Sequence, residues 1–453
     1  MRVLMMAHPG TNSRDILLDV ESGFRQAGHG VIRWEFEPMQ RLVSQVAQPQ
    51  GRAVLAGGIG EIVRSLVESN GIDFTIAMWA NGLMSFGMSP GPSGTTPASF
   101  FERTRIRHVL LWLDAPHWAH QGGIAPLFRS SVLAESRLFH VINNRGLADE
   151  MRDVLGFGRV LARRYGVNPE VFKPWPGVTP RHDIVFNLGP GDPEPTDAMV
   201  RALESDDPDL DAIRREASAG ARRRMGAAAA EAGGGDEPGM DALLDAWIGS
   251  QIESPGTPVL DRLAAVVEQD PGLAGAMQWL KKNPKVFVQI AECARSIERC
   301  RRAFTITYLS KHFDCAVFGD DALEGWPHNA KRYGGVPYHE LSKMYGMGRL
   351  ALNTMRWQDD IGLNLKPFEI TASGTACLCE RRGGLEELFD IGTEIAAFGS
   401  PGGARRVASE LLASPEKLSA MAEAGRARTL RDHTWARWAD DVCAFVAGEG
   451  GSV

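Results

Sequence analysis

One short run of this chain gathers a lysine, a proline, an aromatic residue and a carboxylate. Asn364 leads into Lys366-Pro367-Phe368-Glu369, and Ser373-Gly374 follows a few residues later. Proline suits the first turn of a helix, so a helix is expected to start at Pro367 and to close at Ser373-Gly374. Free backbone N–H groups at a helix start favour an anion, and Lys366 would add a full positive charge there. Glu369, one turn on, can accept two hydrogen bonds and so take both hydroxyls of a ribose. Together these groups would make a site for a nucleoside diphosphate. A simpler account also fits: Glu369 complements the helix dipole and Lys366 is solvated.

Other residues could serve chemistry at strand ends. The apolar segment HVLLWL runs into Asp114-Ala115-Pro116-His117. Asp114 and His117 are close enough on a proline-stiffened turn to cooperate in moving a proton. Otherwise Asp114 caps the turn and His117 packs beside Trp118. His8-Pro9-Gly10 follows the first strand, and Gly10 would permit close backbone approach to a ligand; an ordinary strand–helix turn explains it equally. Arg356 follows a strand end and could reach a phosphate or form a surface ion pair. Tyr333, Tyr338, Trp326 and Trp357 offer stacking faces or core packing. The basic run ARRRMG, 221–226, reads as a solvated face, or else as a surface for an acidic acceptor.

The elements that would hold these groups alternate in type. Six strand-like segments, at 2–7, 31–36, 73–79, 107–113, 138–143 and 159–164, are separated by amphipathic patterns over the first part of the chain. Apolar strands alternating with helices indicate a parallel sheet covered on both faces. A Gly-, Pro- and Ser-rich loop occupies 84–99, and a proline-rich linker occupies 168–183. Strand signals return at 183–189, 315–319, 349–354, 375–380 and 394–399, again with helices between them. Residues 192 to about 300 lack strand signals and read as a helical insertion, in which 220–239 looks mobile from its Ala/Gly content. The expected organisation is one domain over 1–180, a second over 181–435, and a final helix and tail over 436–453. This is an α/β architecture of two doubly wound parallel-sheet domains facing a cleft, with the insertion in the second.

A chain of 453 residues exceeds one ordinary core. The net charge of −7 weighs against nucleic acid as a main partner. No window is long and apolar enough to span a membrane. The six cysteines are scattered without a zinc pattern and read as reduced thiols, which fits the cytoplasm.

The segment from Tyr338 to Ser400 resembles the C-terminal half of the CgeB-like glycosyltransferases, which are GT-B enzymes. The pattern comprises Tyr338 and Tyr345, then Leu352-Asn353 on a strand. Gly362, Asn364, Lys366 and Phe368-Glu369 follow, then Gly384-Leu385, Leu388-Phe389 and Glu394-Ile395. RTLRDHTWARWADDV resembles the family's final helices, and 141–174 the end of a GT-B N-terminal domain. The resemblance covers 301–445 well, 100–185 loosely and 192–300 not at all. It implies metal-independent transfer of a sugar from a nucleotide-diphosphate sugar, with no cofactor, to an acceptor that is a protein, a glycan or a small molecule. Glu369 would hold the donor ribose, Lys366 would meet the diphosphate, Asn364 and Phe368 belong to the same motif, and Gly319-Asp320 would line the nucleobase pocket. Many retaining GT-B enzymes carry a second glutamate where this chain has Ile361, beside Asp359 and Asp360. Two rivals follow: a GT-B sugar-nucleotide epimerase, and a non-catalytic GT-B protein that binds a partner through the insertion.

Overall fold

A computed structural model of the chain describes residues 1–7, 11–35, 38, 45, 49–79, 105–116, 124–189, 194–320 and 323–448. It divides into two compact units, Met1–Asn168 with Trp435–Val453, and Pro169–Thr434. Among the described residues no helix is long and apolar enough to cross a membrane.

The first unit carries β1 (Arg2–Met6), α1 (Thr11–Gln26), β2 (Gly30–Trp34), α2 (Pro49–Asn70), β3 (Phe74–Met78), β4 (His108–Trp112), β5 (Leu138–Ile142), α3 (Arg145–Glu150) and β6 (Arg159–Ala162). All six strands are parallel, in the order β2-β1-β3-β4-β5-β6. Every residue of β3, β4 and β5 is buried, as expected of central parallel strands covered on both faces. The C-terminal helix at Trp435–Ala447 belongs to this unit rather than standing apart. Its seat is made by Gly23: a β-carbon there would lie 2.4 Å from Cβ of Trp435. Phe24 then meets Trp438 edge-on at 6.1 Å.

The second unit opens with β7 (His182–Asn187) and then leaves its sheet for the insertion: α4 (Asp197–Ala202), α5 (Leu210–Glu231), α6 (Met240–Glu253), α7 (Val259–Gln269), α8 (Ala274–Lys282) and α9 (Pro284–Arg295). The sheet resumes through α10 (Arg301–Ser310), β8 (Cys315–Phe318), β9 (Lys331–Tyr333), α11 (Leu341–Gly346), β10 (Gly348–Asn353), α12 (Lys366–Ala372), β11 (Ala376–Glu380), α13 (Leu385–Leu388), β12 (Ala396–Phe398), α14 (Pro401–Leu412) and α15 (Pro415–Asp432). The last helix, at Trp435–Ala447, is α16. The strand order is β12-β11-β10-β7-β8-β9, all parallel. Numbered from β7, this is the order of a dinucleotide-binding sheet, with its reversal between β7 and β10.

The insertion is helical as expected, but 220–239 is not a loose stretch. Residues 210–231 form one helix whose Ala221, Met225 and Ala229 recur at four-residue spacing and are buried. Among the glycines that follow, Gly234 is tightly packed: a β-carbon there would fall 2.6 Å from the indole of Trp279. Alanine is the strongest helix former, and the buried stripe gives the helix a partner face.

Candidate active site

In a sheet of this order a ligand is expected outside the C-terminal strand ends, at the reversal point. In the second unit that point lies between Asn187, the last residue of β7, and Asn353, the last of β10. Lys366, at the start of α12, donates from Nζ to the backbone oxygen of Asn187. Its own N–H is taken by Oδ1 of Asn364 at 3.1 Å, and the N–H groups of Phe368 and Glu369 both bond to the carbonyl of Leu365 at 3.1 Å. Pro367 has none to give. The expected cradle of free N–H groups is therefore not formed, and the positive charge at this helix start resides on Lys366.

Glu369 sits one turn in and is only 4% exposed. Tyr345, on α11, donates its hydroxyl to Oε2 of Glu369 at 3.0 Å. Burial, followed by the charge of Glu369, pushes the Tyr345 phenol well above its usual range, so it remains a donor. Tyr345 thereby orients the carboxylate from within the fold.

Gly319 lies on the neighbouring strand end. Its φ is +141°, and a β-carbon there would fall 1.8 Å from the carbonyl oxygen of Leu188. Only glycine fits this approach. Lys366, Asn364, Glu369 and Gly319 are thus gathered around the end of β7.

Other expected residues are placed elsewhere. Phe368 is fully buried, 4.8 Å from the ring of His433 and 5.8 Å from that of Phe389, and acts as a packing residue beneath α12. Asp320 is exposed and accepts from the N–H of Gly335 at 3.0 Å. Arg356 pairs with Asp359 at 3.1 Å. Asp114 is half-buried, just past the end of β4 in the first unit. His117, His8 and Gly10 lie outside the described residues.

Neither aspartate beside Ile361 is positioned to replace the second glutamate of the resembled pattern. Asp360 is 5% exposed and held by Arg295 at 2.7 Å, with Arg262 at 3.7 Å. Asp359 is 3% exposed and engaged by Arg356.

The sequence reading missed a buried charge network behind the site. Glu298 is surrounded by Arg214, Arg301 at 2.5 Å and Arg382 at 3.0 Å. Arg301 also reaches Glu380, the last residue of β11, at 2.7 Å. Glu380 in turn accepts from the N–H of Met355 at 2.9 Å, which fixes the chain as it leaves β10. Burial raises the Glu380 carboxyl, and Arg301 opposes that shift. The network joins the insertion, through Arg214 and Glu298, to the loops at the C-terminal edge of the sheet. The one hint of it in the sequence was the acid that ends the apolar run TACLCE.

Residues 299–444 match a family model described as glycosyl transferase-like. No curated protein matches the sequence. Among solved structures, Anabaena Alr3699/HepE in complex with UDP-glucose is 11% identical at a TM-score of 0.50, over 99% of this chain and 100% of the other. Sucrose-phosphate synthase from Thermosynechococcus elongatus is 11% identical at 0.48, over 99% and 98%. The T4 phage β-glucosyltransferase is 10% identical at 0.47, over 98% and 99%. The two parallel six-stranded sheets are those of the GT-B fold. The matched segment, which spans both Lys366 and Glu369, is that of a glycosyltransferase, and the protein is an enzyme of that class. The match is to this broad family and does not reach the narrower CgeB-like type.

Proposed function

We propose that this glycosyltransferase moves a sugar from a UDP-sugar-type donor to an acceptor hydroxyl, and that it is of the CgeB-like type. The observation that carries the reading is the glycosyl transferase-like match over a segment whose Lys366 and Glu369 lie at the reversal point of a dinucleotide-binding sheet. In this reading Glu369 takes the ribose hydroxyls, and Gly319 with Asp320 lines the nucleobase pocket. Lys366 exchanges its bond to Asn187 for the donor diphosphate. The acceptor oxygen forms a bond to the anomeric carbon while that carbon's bond to the diphosphate oxygen breaks. UDP departs with the electron pair, and the acceptor's proton passes to a base. Asp114 and His117 are the residues proposed for that acceptor-side role. Lys366 meets the charge that grows on the diphosphate, so transfer needs neither a metal nor a cofactor. A cytoplasmic location is part of the proposal, supported by the six free cysteines.

The test is a panel of UDP-sugars incubated with the protein and candidate acceptors, followed by chromatography of nucleotide and sugar. Release of UDP with a new glycoside is the expected result. Isomerised UDP-sugar with no UDP would favour the epimerase. Binding with no turnover across the panel would favour a non-catalytic role.

A further inference from the structure

The insertion and the loop after β10 border an open surface recess of about 580 Å³ that the donor reading does not use. Arg224 and Glu231 of α5 form one wall, and Gln289, Glu292 and Cys293 of α9 form another. Trp357, half-buried, closes the third side with Arg299. Trp357 stands on the loop that leaves β10 at Asn353 and enters α12 at Lys366.

The chemistry of this lining is selective. Two guanidiniums face two carboxylates, so the recess favours neither a polyanion nor a polycation. A purely apolar ligand would strip water from four charged groups and return no hydrogen bond. A polyol is different: each hydroxyl both donates and accepts. It can therefore satisfy the guanidinium of Arg224, the amide of Gln289 and the carboxyl of Glu292 in turn. The indole of Trp357 offers an apolar face for the C–H side of a pyranose ring. Glu292 is half-buried, and burial raises its carboxyl despite nearby Arg295.

We propose that this recess is a carbohydrate-binding site that seats the sugar acceptor, with Trp357 as its stacking platform. The assignment as acceptor rests on the transferase reading above; the assignment as a sugar site does not. The loop bearing Trp357 runs on in sequence to Lys366 at the start of α12.

The test uses the full-length protein with glucose, N-acetylglucosamine, maltose and cellobiose as probes, read by saturation-transfer NMR. Alkylation gives a local second readout, because Cys293 and Cys300 line the recess while Cys315, Cys377, Cys379 and Cys443 are buried. At least one probe should bind saturably, with a dissociation constant on the order of 1 mM, and should slow alkylation. Trp357→Ala should weaken it by about tenfold or more, while Trp357→Phe, which keeps an aromatic face, should lose about threefold or less. UDP-glucose affinity should be the same in all three proteins. The inference is overturned if no probe binds saturably to the wild type, or if Trp357→Ala binds as the wild type does. If the probes bind but UDP-glucose does not, the transferase reading fails and the sugar site stands.

Discussion

Two histidines buried in the first sheet make its stability depend on pH. His108 on β4 and His140 on β5 are fully buried and, by register, share one face of the sheet. His108 Nδ1 meets the hydroxyl of Thr75, and Trp112 Nε1 donates to His140 Nδ1 at 3.1 Å. Burial pushes each imidazole down to about 3 from 6.5. Below pH 6.5 the unfolded chain takes up protons that the folded one refuses. Stability is therefore fully present above that value and falls as the pH drops towards 3. One pH unit in this window is worth about 1.4 kcal/mol per imidazole, or roughly 2.7 kcal/mol for the pair. Against a domain stability of about 5–15 kcal/mol, a fall to about pH 5.5 is a large perturbation. Few carboxylates titrate there, so the slope reports the histidines. The assay is native-state hydrogen exchange of peptides spanning β4 and β5, corrected for the intrinsic pH dependence of exchange. His140→Gln retains an acceptor for Trp112 and should halve the slope. A flat profile in the wild type, or an unchanged slope in His140→Gln, would refute the reasoning.

Other perturbations follow from the second unit. Met225→Ala, at a fully buried position of α5, should cost about 2–5 kcal/mol in chemical denaturation, and shortening 220–239 should unfold the insertion; a folded, unperturbed deletion would contradict the packing of that helix. Glu298→Ala leaves Arg214, Arg301 and Arg382 without their shared carboxylate and should destabilise by about 3–5 kcal/mol, to be measured by urea titration against Glu298→Gln, which should lose less. Treatment with a chelator followed by desalting should leave turnover unchanged, and restoration by an added divalent ion would transfer the role of Lys366 to a metal.

Much of the scaffold was readable because its strands are short apolar runs between helical patterns. All six strands of the first sheet overlap their expected segments, as do five of the second, although β2, β7 and β10 each begin one residue earlier than expected. The exception is β9, Lys331–Tyr333, whose three residues are all exposed and charged or polar; an edge strand of this kind carries no burial pattern to read. Composition misled at 220–239, where Ala and Gly suggested looseness while the four-residue spacing of Ala221, Met225 and Ala229 recorded a buried face. Asn364, Lys366 and Glu369 could be singled out because they are close in sequence. Their partners Asn187 and Tyr345 are distant in the chain, and only the fold brings the end of β7 to the start of α12. The Glu298–Arg301–Arg382–Glu380 network is of the same kind: each charge is unremarkable alone, and its burial is a property of the packed insertion.

The central claim is that Glu369 and Lys366 hold a nucleotide sugar. Its most direct measurement is calorimetric titration of UDP-glucose into the wild type and into Glu369→Gln. The glutamine keeps the shape of the side chain and an oxygen for Tyr345 at 3.0 Å, but it removes the negative charge. Losing a charge-assisted hydrogen bond should cost about 1.5–3 kcal/mol, a weakening of roughly tenfold or more with an unchanged melting temperature. Equal affinity in the two proteins, or no binding to the wild type, would contradict the account.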